Sequence, residues 1–97
     1  MEINKSVKDS ELVIALEGRL DTNTASDLEN EVQNLEGIKK LIFDFKKLDY
    51  LSSAGLRILL SCQKKMNLQG EMIVKNVNDS IRGVFDITGF SDILTVE

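Results

Sequence analysis

Apolar residues occur along this chain in short blocks whose spacing switches between that of strands and that of helices. Residues 2–8 alternate weakly, with Ile3 and Val7 on one face, which predicts an edge strand followed by a hairpin turn at Asp9-Ser10. The nearly continuous apolar run from Leu12 to Leu16 is typical of a strand that is covered on both faces. The chain therefore opens with a predicted β-hairpin.

The next block changes to helical spacing. The apolar residues that repeat at this spacing, with acids and amides between them, are Ala25, Leu28, Val32 and Leu35. This pattern predicts a helix that begins near Asp21 or Thr22, either of which is a good cap, and ends at Gly37.

A second strand and a second helix follow. Leu41 to Phe45 is fully apolar apart from one acid and predicts another buried strand. A helix is predicted from Ser52 or Ser53 to about Met66, and Gly70 ends the unit. The predicted core stripe of this helix is Leu56, Leu59, Leu60, Cys62 and Met66.

The last third of the chain repeats the alternation. Met72 to Val74 predicts a third short strand, and Ile93 to Val96 is a candidate for a last one. Between them Asn76 or Asn78 caps a helix that ends at Gly89 and carries Val77, Ile81, Val84 and Phe85. The order predicts one α/β domain over residues 1–97, with a mixed, mostly parallel sheet of about four or five strands and about three or four helices.

Composition narrows the function classes. The net charge is −4 at pH 7 and the basic residues are scattered, which argues against direct nucleic-acid binding. The chain has no histidine and Cys62 is its one cysteine, which excludes Cys/His zinc sites, histidine-based triads and internal disulfides. No Gly-rich phosphate loop is present. We predict a protein that is not an enzyme and has no catalytic residue, metal ion or cofactor.

Localisation is predicted from targeting signals and cysteine usage. The N-terminal residues do not form a signal peptide, and the apolar runs are too short to cross a bilayer. A lone, buried cysteine fits a reducing compartment. We expect a cytoplasmic protein without membrane insertion.

Two turns are the candidate functional region. In open, mostly parallel sheets, functional groups gather at the carboxyl ends of the strands. The Leu20–Thr24 turn and the Asp49–Gly55 turn both follow predicted strands. We therefore expect Asp21 and Ser53 to be neighbours despite their separation in sequence.

Each polar residue at these turns has a structural interpretation beside a functional one. Ser52 or Ser53 can cap the second helix and Asp21 the first. A serine at a helix start is also accessible to a kinase, and a helix N-terminus tolerates an added phosphate. The two roles can coexist, with Ser52 capping and Ser53 exposed in the first turn of the helix.

Three motifs together resemble the STAS family, which comprises anti-sigma factor antagonist domains and the cytoplasmic domains of sulphate transporters. Phe43-Asp44-Phe45 precedes a stretch from Leu48 to Leu60 that contains Ser52-Ser53-Ala54-Gly55-Leu56. Glu17 to Ala25 looks like the family motif Gly-x-Leu-Asp-x-x-Thr-Ala, and Val84 to Phe90 resembles Phe-Asp-x-[Ser/Thr]-Gly-[Leu/Phe]. The similarity spans the chain with the motifs in the same order.

The resemblance implies a regulatory protein-binding function. Such an antagonist binds an anti-sigma factor that is itself a serine kinase, and this binding releases a sigma factor and so regulates transcription. The kinase inactivates the antagonist by phosphorylation, and a serine phosphatase reverses the modification. The alternative is a constitutive STAS subunit of a transport-associated or stress-signalling complex without a phosphorylation switch.

Alignment with the family's Asp-Ser-[Ser/Thr]-Gly-Leu motif implies that this phosphoprotein accepts phosphate at Ser53. Ser52 stands where the motif has Asp and is the less favoured acceptor, and Ala54 replaces the second hydroxyl residue. The residues expected to contact the partner are Asp21, Thr24, Ser52, Ser53, Gly55, Arg57 and Ile58.

Two residues of the second helix extend this surface. Arg57 lies one turn after Ser53 and can pair with a phosphate there. Ile58 is expected to point away from the core stripe, either as an isolated exposed residue or as an apolar anchor for the partner. Cys62 is expected to be a small core residue, because no neighbour activates its thiol.

Overall fold

Four strands, three α-helices and one short 3₁₀ helix make up the computed structural model, which describes residues 1–97. The strands are β1 (Glu2–Lys8), β2 (Glu11–Leu20), β3 (Lys40–Leu51) and β4 (Glu71–Lys75). The helices are α1 (Ala25–Glu31), α2 (Ser53–Asn67) and α3 (Asp79–Thr88), and the 3₁₀ helix is Phe90–Asp92.

The strands are ordered in the sheet as they are in the chain, β1-β2-β3-β4. β1 is antiparallel to β2, whereas β2, β3 and β4 are parallel to one another. This arrangement confirms the α/β fold with a mixed, mostly parallel sheet. Successive right-handed crossovers in one direction along a sheet place their helices on the same face.

All the helices therefore pack on one face of the sheet. The core joins alternate residues of β2, among them Leu12, Ile14 and Leu16, to buried residues of all three helices. The expectation that the Leu12–Leu16 strand is covered on both faces is wrong, because Val13 and Ala15 point to the helix-free face and are only half-buried.

β3 continues well past its predicted end at Phe45. Two irregularities in its register against β2 each insert an extra residue into β3. As a result Phe45, Leu48 and Leu51 all point into the core, although a regular strand would alternate. The first irregularity is held by Asp44, whose Oδ1 accepts hydrogen bonds from the Lys46 amide at 3.0 Å and the Asn76 side-chain amide at 2.9 Å.

The segment from Ile93 to Val96 is not a full strand. The amides of Ile93 and Leu94 bond back to the Phe90 carbonyl at 3.0 and 2.8 Å, which closes a turn and leaves only a parallel bridge between Val96 and Val74. The preceding helix α3 begins as expected, with the Asn78 side chain accepting from the Ile81 amide at 2.8 Å, although Val77 precedes the helix.

Candidate functional site

The carboxyl ends of β2 and β3 lie side by side. Leu20 and Leu51 are register partners, and both are buried. Just beyond them the Ser52 amide donates a hydrogen bond to the Leu20 carbonyl at 2.9 Å. The two turns that the sequence singled out therefore leave the sheet next to each other. Asp21 directly follows Leu20, which accepts this bond, and Ser53 directly follows Ser52, which donates it.

The first turn is built around Asp21 and Thr24. Oδ1 of Asp21 accepts from the amides of Asn23 at 3.0 Å and Thr24 at 3.2 Å. The Thr24 hydroxyl accepts from the Asp21 amide at 2.9 Å and donates to the Arg19 carbonyl at 2.8 Å. The Asp21 carbonyl also accepts from the Ala25 amide at 2.9 Å, so residues 21–24 form a capped turn that leads directly into the first helix.

Helix α1 is shorter than the predicted helix from residue 21 or 22 to Gly37. Thr24 occupies the N-cap position of the regular helix and makes no side-chain cap. The side-chain cap is made by Asp21, at the start of the turn that leads into the helix, where the sequence predicted it. At the other end the helix stops before Val32, although Leu35 in the following loop remains buried.

Partial desolvation of the Asp21 carboxylate acts to raise its pKa. Hydrogen bonds from the backbone of Thr24 and Asn23 outweigh this effect, so the pKa of Asp21 lies below its usual value. Asp21 is therefore a fixed negative charge beside the start of α2 at neutral pH.

The two serines have different structural roles. Ser52 has extended backbone geometry and is the N-cap of α2, with its hydroxyl oxygen 3.5 Å from the Gly55 amide nitrogen. Ser53 is the first residue of the helix and is exposed. The structure thus gives the capping role to Ser52 and leaves the Ser53 side chain at the surface.

Gly55 allows α2 to begin in contact with the sheet. A Cβ atom at this position would lie 2.6 Å from a methyl carbon of Leu51 and 2.7 Å from Cγ of Leu20. Any larger residue would push the first turn of α2 away from the strand ends. Gly55 is buried, so its contribution to this site is to position the two serines.

The expectation that Ile58 is exposed is wrong. Ile58 is only 5% exposed and belongs to the core, because α1 packs against α2 on that side. Arg57 is exposed, as expected for a residue available to a charged group. A groove of about 410 Å³ runs between the two helices and is lined by Glu29, Val32, Gln33, Arg57, Ile58, Ser61 and Lys65.

Sequence reasoning missed Arg19 and Tyr50. These two residues are register partners, and the guanidinium carbon of Arg19 lies 4.1 Å from the centre of the Tyr50 ring. Nε of Arg19 is also 3.7 Å from a carboxylate oxygen of Asp21. Arg19 precedes the buried Leu20 and Tyr50 precedes the buried Leu51, each at the end of its strand. This shared position is the signal from which their contact could have been predicted.

Cys62 does not contribute reactive chemistry. Burial raises the pKa of its thiol to about 11, so the thiol is protonated at neutral pH. Its place among the core residues agrees with the sequence interpretation.

A family model described as the STAS domain matches residues 2–97. This chain belongs to the STAS domain family. The resemblance drawn from the three motifs is therefore confirmed.

Two curated relatives of this STAS protein carry a functional name. "Putative anti-sigma factor antagonist BtrV" of Bordetella bronchiseptica is 34% identical over 99 residues, which cover 99% of this chain and 85% of that protein. The anti-sigma-B factor antagonist of Staphylococcus aureus is 25% identical over 99 residues, covering 99% of this chain and 92% of that protein.

A solved structure has the same fold. SpoIIAA, an anti-sigma factor antagonist, matches in its unphosphorylated form with a TM-score of 0.80 at 19% identity, over 99% of this chain and 87% of that chain. The phosphorylated form of the Bacillus protein matches with a TM-score of 0.78 at 20% identity, over 99% and 91% of the two chains. None of the helices in this STAS protein combines the length and apolar character that crossing a membrane needs.

Proposed function

We propose that this STAS protein is an anti-sigma factor antagonist that acts by reversible protein binding and is inactivated by phosphorylation of Ser53. The observation that carries the proposal is that the two serines have different structural roles. Ser52 is the N-cap, and Ser53 is exposed at the first position of α2. The names of the curated relatives support an anti-sigma factor as the binding partner.

The position of Ser53 is compatible with a phosphate. A helix N-terminus carries a partial positive charge and favours an anion. Arg57, one turn further along α2, is exposed and can pair with a phosphate on Ser53. Phosphorylation therefore leaves the fold intact.

The same modification changes what a partner meets. A phosphate adds about −1.5 to −2 charges at pH 7. Asp21, with its lowered pKa, already places a negative charge at the neighbouring turn. A partner surface docked over both turns would have to desolvate the phosphate beside that charge, so phosphorylation blocks docking. The proposed contact surface comprises Asp21, Thr24, Ser52, Ser53 and Arg57, with Gly55 and Ile58 supporting it from below.

Two enzymes complete the proposed cycle. The anti-sigma factor that binds this surface is the serine kinase that modifies Ser53, and a serine phosphatase restores the unmodified form. The protein itself performs no catalysis, and its place of action is the cytoplasm.

The test is affinity capture from a lysate of the host with purified wild type, Ser53→Ala and Ser53→Asp, with Ser52→Ala as the matched control. We expect the first two and the control to retain an anti-sigma factor with a kinase domain, identified by mass spectrometry, and Ser53→Asp to lose it. Incubation with ATP and that partner should place phosphate on wild type but not on Ser53→Ala. Equal capture of a membrane or scaffold complex by all variants would instead establish the constitutive-subunit alternative.

A further inference from the structure

The strand β1 forms an open edge of the sheet. It pairs with β2 over an unbroken register from Glu2 to Lys8 and has no neighbour on its other side. It contains no proline and no bulge, two of the devices that prevent an edge from pairing. It does carry charged residues, which can also block an edge, so whether it pairs depends on what Glu2, Lys5 and Lys8 would face. The edge is therefore a regular template of seven residues.

The hairpin defines which backbone groups of β1 are free. Lys8 and Glu11 are partners across a two-residue turn, so this pair exchanges both hydrogen bonds of an antiparallel ladder. Since such pairs alternate along a strand, the even-numbered residues of β1 bond to β2. The N–H and C=O groups of Ile3, Lys5 and Val7 point outward to the open edge.

The sequence of β1 is complementary to itself in the antiparallel direction. When two copies pair about a two-fold axis at Lys5, Glu2 faces Lys8 of the second copy, and Ile3 faces its Val7. Ile3, Lys5 and Val7 then meet the same three residues of the second copy, so the outward backbone groups bond to each other. Val7, which is 62% exposed in the single chain, gains an apolar neighbour.

Two charge relationships within the chain favour this pairing. Glu2 lies opposite Glu17 of β2, a like-charge pair that a lysine from a second copy would relieve. At the two-fold axis, Lys5 would face Lys5 of the second copy, and the two positive charges would repel each other. In each chain, however, the Lys5 ammonium is 3.0 Å from a carboxylate oxygen of Glu31 and 3.3 Å from the Glu31 carbonyl. The axial lysines are therefore neutralised and drawn toward α1 of their own chains.

We propose that this protein forms a two-fold dimer through antiparallel pairing of β1 with β1 of a second copy, which joins the two sheets into one. The proposal does not depend on the antagonist function. Asp21 and Ser53 follow β2 and β3 and are not part of β1, so neither residue belongs to the proposed seam.

The test is sedimentation equilibrium from low micromolar to millimolar concentration with wild type and charge variants. We expect a concentration-dependent monomer–dimer equilibrium for wild type. Glu2→Lys should weaken the dimer at least about tenfold, since it turns two attractive cross-strand pairs into repulsive ones. It should not disturb the monomer, because it replaces the Glu2–Glu17 repulsion with attraction, and circular dichroism would verify this.

The decisive variant is the double charge exchange Glu2→Lys/Lys8→Glu, which restores the pairing in the opposite sense. We expect it to recover dimerisation, whereas either single change weakens it. Because Lys8→Glu also places a like-charge pair opposite Glu11 in the hairpin, circular dichroism of the double variant must first show a folded monomer. In hydrogen exchange, the amides of Ile3, Lys5 and Val7 should become protected as concentration rises. The proposal would be overturned if the wild type stayed monomeric up to millimolar concentration. It would also be overturned if Glu2→Lys left the dissociation constant of the dimer unchanged.

Discussion

The amide of Ser52 and the carbonyl of Leu20 are joined by a hydrogen bond of 2.9 Å. This bond continues the β2–β3 ladder by one step beyond the last paired residues, and it ties the cap of α2 to the neighbouring strand. The turn that presents Ser53 is therefore held by the sheet at one end and by the helix at the other.

Gly55→Ala should lower the free energy of unfolding by about 1–2 kcal/mol. The added methyl group would overlap the side chains of Leu20 and Leu51, and this strain exceeds the gain in helix propensity of about 1 kcal/mol. The matched control is Gly83→Ala in α3, where a Cβ meets no atom within 4 Å. That variant should be more stable than wild type in urea denaturation; equal effects of the two substitutions would contradict the close approach at Gly55.

Ser52→Ala and Ser53→Ala should differ in stability. Removing the N-cap should cost about 0.5 kcal/mol, at the low end for such caps because the hydroxyl oxygen is as far as 3.5 Å from the Gly55 amide. Ser53→Ala should change the free energy of unfolding by less than about 0.3 kcal/mol, since the side chain is exposed. Chemical denaturation of both variants measures the difference, and a larger loss at Ser53 would reverse the assigned roles.

Ile58→Asp should destabilise the fold by about 3 kcal/mol or more. The substitution removes an apolar side chain from the core between α1 and α2 and buries a carboxylate without a partner. Arg57→Asp, at the neighbouring exposed position, is the control and should leave the melting temperature nearly unchanged. A similar small effect for both would mean that Ile58 is at the surface.

The stability of the protein should depend on the ionisation of Asp44. The hydrogen bond from the Asn76 side chain is the main cause of its lowered pKa, and the Lys46 amide adds to it. Because the pKa in the folded state is below the ordinary value of 3.8, the ionised carboxylate stabilises the fold above that pH. This contribution is lost as the pH falls through the lower, folded-state pKa.

Asp44→Asn, which cannot titrate, isolates this effect. Unfolding free energies of wild type and variant, measured from about pH 6 to about pH 2.5, should converge as the pH falls. When Asn76→Ala is added to both proteins, their unfolding free energies should differ less at about pH 6. The reason is that this change removes the hydrogen bond that mainly lowers the pKa of Asp44. A constant difference across the range would show that Asp44 is not coupled to folding.

The order of elements could be predicted from sequence because periodicity reports which face of each element is buried. The sequence predicted a cap at Ser52 or Ser53 and at Asn76 or Asn78, because a polar residue before an apolar repeat commonly begins a helix. The structure selects Ser52 and Asn78. Asp21 was predicted as a cap, and its carboxylate does accept from the amides of Asn23 and Thr24. The bonds of the Thr24 hydroxyl to Asp21 and Arg19 could not be predicted from sequence, because they depend on how the chain turns after β2.

The errors concern residues whose environment depends on other elements. Ile58 lies off the main apolar stripe of α2, and only the packing of α1 makes that side part of the core. In β3 the polar pairs Lys46-Lys47 and Asp49-Tyr50 interrupt the alternation and resemble a strand end. The extra residues that let the strand continue are visible only in its pairing with β2.

The identity of spatial and sequential strand order has a consequence for synthesis on the ribosome. Each strand pairs with the strand made just before it, and none has to be inserted between two that are already joined. A chain that emerges from its N-terminus can therefore extend the sheet at one growing edge, covering each addition with the helix that comes next. At every length of emerged chain, the strands already synthesised are therefore neighbours in their final order.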